Sequence, residues 1–495
     1  MDGKYTVRLM RNEIQNFKNV NYGEASYMNY GSINSKGIIT KTDIVGVYGQ
    51  NGSGKTTLIE VIDILKCVIS GFPIPYDVYS GILSDSDHSR LTTEFFIKKA
   101  DFKYKVCYSF SVRREEKLKN IQIYDEELIY WKRGKSSWIA ERHIKFSNPY
   151  YNASDVLTEQ KIAVESEHIK YFKSIPFLSN MQNLALLCSQ QCISVLFNRF
   201  VWESISKLEK NNETNSFRDV ITGIMQFGMV NLSVIKVNQL AAINYNQFIP
   251  INLHKETDSN IIQGCIALCI TPNISKINER DYDSLLSAIE AINMALRAIV
   301  PNLKIEVEKK EESKDANGVI SFQIDVYSNR DGKRFLLKYE SEGIKRIISI
   351  LHYLIAVFNN EGVCLVVDEL DSGIFEYLLG ELLGLMHREM KGQLIFTSHN
   401  LRILEKLDAS NIICSTVNPN NRYIRLVGIE KNHNKRDFYL RVLSIGGQKE
   451  ELYNEDDLIA MGYSFRKAGK SGGESFGHIF SEEFQKKIDM KENGE

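Results

Sequence analysis

The 495-residue chain has no apolar run of about 18 residues, the length a membrane helix needs, so no transmembrane helix is expected. Its opening stretch, MDGKYTVRLMRNEIQ, lacks the apolar core that directs export. The expectation is a cytoplasmic protein without a membrane partner. Eight cysteines in so long a chain are too sparse for a disulfide framework, and reduced thiols are the simpler state. Charge of one sign is also lacking: 61 basic against 62 acidic side chains leave a formal net charge of −1. That balance neither requires nor excludes nucleic acid, because a basic groove can sit inside a neutral total. No internal repeat and no sustained heptad is present, so a long coiled coil is not expected. What remains is the balance of an ordinary mixed α/β globular chain, long enough for several domains.

The informative stretch begins at Gly49. Gly49-Gln50-Asn51-Gly52-Ser53-Gly54-Lys55-Thr56 fits G-x-x-x-x-G-K-[ST] at every fixed position. An apolar strand, 42–48, precedes it, and Thr57 to Ile69 carries apolar residues at helical spacing. Glycines let the backbone N–H groups of Asn51, Gly52, Ser53 and Gly54 converge on phosphate oxygens, and the helix start adds its positive dipole end. Lys55 then reaches the β- and γ-phosphates, Thr56 ligates Mg²⁺, and Thr57 continues the cradle. Two other Gly-Lys-Ser triplets, at Gly134 and Gly469, lack the earlier glycine, having Ile129 and Ser464 there; both read as loops.

A second apolar run, Gly362 to Val367, ends in Asp368-Glu369. At the end of a buried parallel strand, Asp368 can hold the Mg²⁺ shell and Glu369 can polarise an attacking water. An Asp-Glu pair capping the helix over Leu378 to Met386 would have the same letters. A third run, Gln393 to Ser398, ends in His399, placed to reach a γ-phosphate. The three strand ends come in the order that a parallel-sheet edge requires.

With these motifs the chain resembles the ABC-type ATPases in their SMC, RecF and OLD-like branch. The resemblance implies an α/β head with a mixed, largely parallel central sheet and an antiparallel β-subdomain, binding ATP and Mg²⁺. It implies a signature loop that caps ATP held by the opposite protomer; Ser341 and Gly343 in Tyr339-Glu340-Ser341-Glu342-Gly343-Ile344 match it, whereas Glu342 and Ile344 do not. Ser471-Gly472-Gly473-Glu474 is closer in letters but follows the histidine strand, in the wrong order. It implies a nucleotide-approaching basic residue at Lys18, after Asn16-Phe17, and a metal-linking glutamine at Gln190 or Gln191. One departure stands out: Phe375 occupies the place of the aspartate that ends the loop after Asp-Glu.

Strands are expected over 92–97, 104–112 and 121–130, forming the antiparallel subdomain. The expected organisation is a head from 1–190 and 320–435, a helical insertion over 191–319, and a C-terminal extension over 436–495. Cys188, Cys192, Cys265 and Cys269 lie among apolar residues and read as core cysteines rather than zinc ligands. Asp456-Asp457 lacks the D-x-D strand end of the nuclease domain found in OLD-like and Gabija-type proteins, so no nuclease is expected here. The resemblance then implies an ATPase whose heads dimerise around ATP, or assemble into a higher homo-oligomer. On the same resemblance it is expected to control a separate nuclease or toxin effector, as in bacterial anti-phage systems of the PARIS, abortive-infection and Septu types. The alternative is a RecF-like ATPase of DNA repair that touches nucleic acid.

Overall fold

Asp43–Tyr48 is buried at all six positions, as Ile44-Val45-Gly46-Val47 demands of a strand covered on both faces. The computed structural model describes residues 5–28, 43–83, 89–134, 137–147, 163–165, 181–206, 212–237, 248–256, 261–269, 276–314, 318–429, 434–453 and 458–468. In it this strand lies inside a six-stranded sheet. It pairs in parallel with Gln393–Thr397 and with Ile412–Ser415. Gln393–Thr397 pairs onward with Cys364–Val367, and that strand with Leu232–Ile235, again in parallel. Tyr423–Ile424 closes the far edge antiparallel to Ile412–Ser415. Parallel strands deliver their C-terminal ends to one edge, so Gly49, Asp368 and Ser398 emerge as neighbours.

Alternate residues of this sheet feed two cores. Val45, Val47, Val366 and Ile395 join the core around helix Lys55–Ile69. Ile44, Leu365, Val367, Leu394 and Phe396 face helices Glu342–Asn359, Glu376–Glu389, Leu401–Lys406 and Lys435–Ile445. Beyond the first helix lies a seven-stranded antiparallel sheet in the order Val20–Ser26, Tyr5–Phe17, Ser89–Lys99, Phe102–Glu115, Asn120–Arg133, Trp138–Ser147 and Ala163–Glu165. The three strands expected from alternation are all in it. Arg8 ties the two sheets together: its Nε donates to Asp43 at 2.6 Å, and its Nη2 to the Lys391 carbonyl at 2.6 Å. A guanidinium so fully partnered leaves no uncompensated charge in the core.

The 191–319 segment differs from the helical insertion expected of it. Its strand Leu232–Ile235 belongs to the central sheet, so the boundary at 191 cuts into the head. Phe248–Glu256 and Ile261–Cys269 form a hairpin. Helix Glu279–Ile299 packs on an antiparallel sheet built from Lys276–Asn278, Leu303–Lys314, Ile320–Arg330 and Lys333–Leu336. The misreading has a physical cause: four-residue strands carry no period, and a continuous apolar run such as Ile261–Cys269 fits either element. Ile347, Ile348 and Leu351 complete this third core, so helix Glu342–Asn359 has one face in each of two cores.

Cys188 lies in the first core, near the end of helix Met181–Gln191, whereas Cys265 and Cys269 belong to a strand of the third unit. Ser471 to Glu474, Asp456-Asp457 and the segment from 469 onward lie outside the described residues.

Candidate functional site

The loop after Tyr48 turns into helix Lys55–Ile69 through Gly54, whose φ of 88° is the left-handed conformation that glycine adopts without strain. A Cβ there would meet Val20 Cγ2 at 3.1 Å, so the loop is also pressed against the neighbouring turn. Gly49 opens the loop, and Asn51 and Gly52 are exposed at its crest. Ser53 is buried, its Oγ donating to the Gln50 carbonyl at 2.7 Å. Thr56 is exposed on the first helical turn and Thr57 is buried behind it. The Lys55 ammonium donates to the carbonyls of Gly49 and Gln50, both at 2.8 Å. It thereby bridges the two ends of the cradle.

Lys55 also finds the second strand end. Burial pushes its pKa down, while the nearby charges of Asp368, Glu369 and Asp371 pull it back up. The four groups therefore stand within one another's field at the sheet edge. Asp368 is almost fully buried. Its Oδ1 accepts from the Thr397 hydroxyl at 2.6 Å, and the same hydroxyl accepts from the Glu369 N–H at 2.8 Å. Thr397, the last residue of the histidine strand, thus holds the Asp368 carboxylate and the Glu369 backbone. Asp368 Oδ2 is buried and has no hydrogen-bond partner.

That unpartnered oxygen is what an ion would satisfy. Together with the Thr56 hydroxyl it offers hard oxygen donors, the chemistry Mg²⁺ prefers when phosphates and water complete its shell. Among the described residues no three His, Cys, Asp or Glu side chains gather to cage an ion by themselves. An ion shared with phosphates needs no such cage.

Glu369 has φ of 48°, a left-handed conformation that costs a non-glycine residue about 1–2 kcal/mol. Its backbone N–H bond to Thr397 helps hold it there. His399 follows with an exposed side chain, its backbone N–H donating to Asp371 Oδ2 at 3.2 Å. Asp371, which opens the loop that ends at Phe375, is thus a residue of this edge for which no role of its own was expected.

The remaining expected residues fall in different places. Lys18 makes two bonds, at 2.8 and 2.6 Å, to Glu60 on the loop's helix; its neighbour Asn19 donates to the Gly52 carbonyl. Ser341 caps helix Glu342–Asn359, its Oγ accepting from the Ile344 N–H at 3.4 Å. Gly343 packs on the turn after Asp371, so closely that a Cβ would meet the Gly373 carbonyl at 2.6 Å. Gln190 is exposed at the end of helix Met181–Gln191, whose Leu184 and Cys188 belong to the core beneath the antiparallel sheet. The strand beside Asp368 is instead Leu232–Ile235, and the next glutamine along the chain, Gln239, lies outside the described residues. Tyr423 was not foreseen at all: its hydroxyl donates to the Gly54 carbonyl at 2.7 Å, across 369 positions of sequence.

Residues 44–174 match the family model described as "AAA domain, putative AbiEii toxin, Type IV TA system". A comparison with curated proteins finds no match. Among solved structures the chain is similar to an Smc head bound to the C-winged helix domain of ScpA, at 11% identity and TM-score 0.37, over 84% of this chain and 97% of that one. It is similar to an Smc head with an extended coiled coil bound to the C-terminal domain of ScpA, from Pyrococcus furiosus, at 10% identity and TM-score 0.34, over 89% and 99%. It is also similar to the SMC head domain from Thermotoga maritima, at 13% identity and TM-score 0.34, over 85% and 100%.

Proposed function

We propose that the chain is an ATPase whose heads close in pairs on ATP and, in closing, hold or release a separate effector protein. The observation that carries this reading is the shared edge, where Lys55 lies in the field of Asp368, Glu369 and Asp371 and the buried Asp368 Oδ2 has no hydrogen-bond partner. Lys55 and the loop N–H groups bind the triphosphate, and Thr56 and Asp368 hold Mg²⁺. When bound, that ion neutralises charge developing on the phosphates. Glu369 takes a proton from the attacking water, and His399 contacts the terminal phosphate. Ser341 and Gly343 supply the cap over nucleotide in the partner head. Because ATP touches both heads only when they are closed, it shifts the equilibrium towards closure, and hydrolysis removes the link.

The matched family is described from a toxin–antitoxin system; the separate effector, the anti-phage setting and a cytoplasmic location belong to this reading.

A second reading, contact with nucleic acid, is favoured by one observation. Lys98 pairs across strands with Lys103, and Arg133 with Trp138. Burial, then Lys98 and Arg133, push the Lys103 pKa down, so these cations crowd one another. Rings alternate with them: Lys132 sits over Phe102, which is half exposed, and Arg133 over Trp138. Cations interleaved with rings suit a phosphate backbone with stackable bases.

One experiment separates the readings. The Glu369→Gln protein, held with ATP, is purified from its native cells, and bound protein and nucleic acid are both measured. The expected result is one protein in stoichiometric amount, unaffected by nuclease treatment and shed on exchange into ADP. Nucleic acid without such a protein would sink the effector reading in favour of the second.

A further inference from the structure

A buried cation and a half-buried carboxylate stand close to the site with bonding capacity unused. Arg346 is 4% exposed, and its Nε and Nη2 have no hydrogen-bond partner. Asp371 Oδ1 is buried and equally unpartnered. The backbone places them towards each other. Gly343 touches Gly373, and Arg346, three residues on in helix Glu342–Asn359, lies on that same face. Asp371 begins the turn that contains Gly373, with the Ile374 N–H donating back to its carbonyl at 3.2 Å.

We propose that Arg346 and Asp371 form a latch that engages when ATP occupies the site, making Arg346 a positioning residue that couples the site to the helix capped by Ser341. The inference rests on the ATPase reading above. The drive is a competition for one carboxylate. Without nucleotide, Asp371 lies in the field of Lys55. Phosphate oxygens then take over the Lys55 charge, and Asp371 is left with Arg346, an unpartnered cation on which its field already acts. The fields of Asp371 and Glu369 already act on Arg346, opposing the burial that pushes its pKa down to about 10. Asp371 Oδ2 meanwhile holds the backbone of His399. The latch therefore runs from the γ-phosphate contact, through Asp371, to the first turns of the helix that carries Ser341 and Gly343.

Only a ligand that acts differently on the two states can move such an equilibrium. ADP, which leaves the terminal-phosphate position empty, is expected to engage the latch less than ATP. Couplings of this kind are usually about 5–150-fold.

The test uses the full chain with Arg346→Met, Asp371→Asn, the double variant and Arg346→Lys. Fluorescent ATP and ADP titrations, kcat and KM are measured for each. Hydrogen exchange of the amides in 342–348 is followed with each nucleotide. Wild type is expected to protect these amides with ATP more than with ADP. Arg346→Met is expected to keep ADP affinity within about two-fold, to lose that ATP-specific protection, and to lower kcat about ten-fold with little change in KM. Asp371→Asn should give the same loss, the double variant should lose no more than either, and Arg346→Lys should recover part of it. Wild-type protection retained in both single variants, or fully additive losses in kcat, would overturn the latch. A wild type that binds ATP without turnover would count against the ATPase reading alone, because the exchange experiment still reports the latch.

Discussion

Lys55→Ala is expected to weaken ATP binding by about 100- to 1,000-fold. Two effects act in the same direction. The substitution removes a cation whose hydrogen bonds to phosphate are each worth about 1.5–3 kcal/mol. It also leaves Asp368, Glu369 and Asp371 without their nearest counter-charge, so the pocket turns from mixed to acidic and repels the ligand. The fold should tolerate the change. The carbonyls of Gly49 and Gln50 that lose the ammonium lie in a half-exposed loop, where water can replace it. Titration with a fluorescent ATP analogue, alongside a thermal melt to establish folding, measures the effect. Affinity within about three-fold of wild type would remove Lys55, and with it the loop, from phosphate binding.

Glu369→Gln is expected to lower ATP turnover by about 10²- to 10⁴-fold, the usual worth of a general base, while leaving nucleotide binding intact or tighter. The shape and the backbone bond to Thr397 survive, because the N–H of residue 369 is the donor. One negative charge beside Lys55 disappears, which favours an anionic ligand. ATP should then persist, and light scattering should show a dimer that wild type forms only transiently. Unchanged hydrolysis in a steady-state phosphate-release assay would take Glu369 out of the chemistry and leave it a structural residue of the turn.

The parts of this site that are local in sequence were legible there. Gly49 to Thr56 needs only fixed spacing between a strand and a helix. Asp368-Glu369 and His399 need only an apolar run that stops at a polar residue. Parallel pairing then aligns those stops without further instruction. What the letters hid is what crosses the fold. Thr397 looked like one more β-branched strand residue, yet its hydroxyl holds the Asp368 carboxylate and the Glu369 backbone. Tyr423 reaches the loop from the far end of the chain. Leu232–Ile235 is too short to show a period, so the strand beside Asp368 went unseen. Arg346 was one more cation of an amphipathic helix until its burial without partners became visible.

The left-handed backbone of Glu369 sets stability and turnover against each other at one residue. A glycine there would relax the strain and, net of its own entropy, is expected to stabilise the protein by about 0.5–1 kcal/mol. It would also delete the acid. A urea melt of Glu369→Gly with an unchanged or lower midpoint would show that the turn imposes no such strain. With the midpoint raised, any mutational drift rewarded only for a longer-lived fold would move towards an inert protein. On the ATPase reading, the glutamate at this angle trades robustness for turnover.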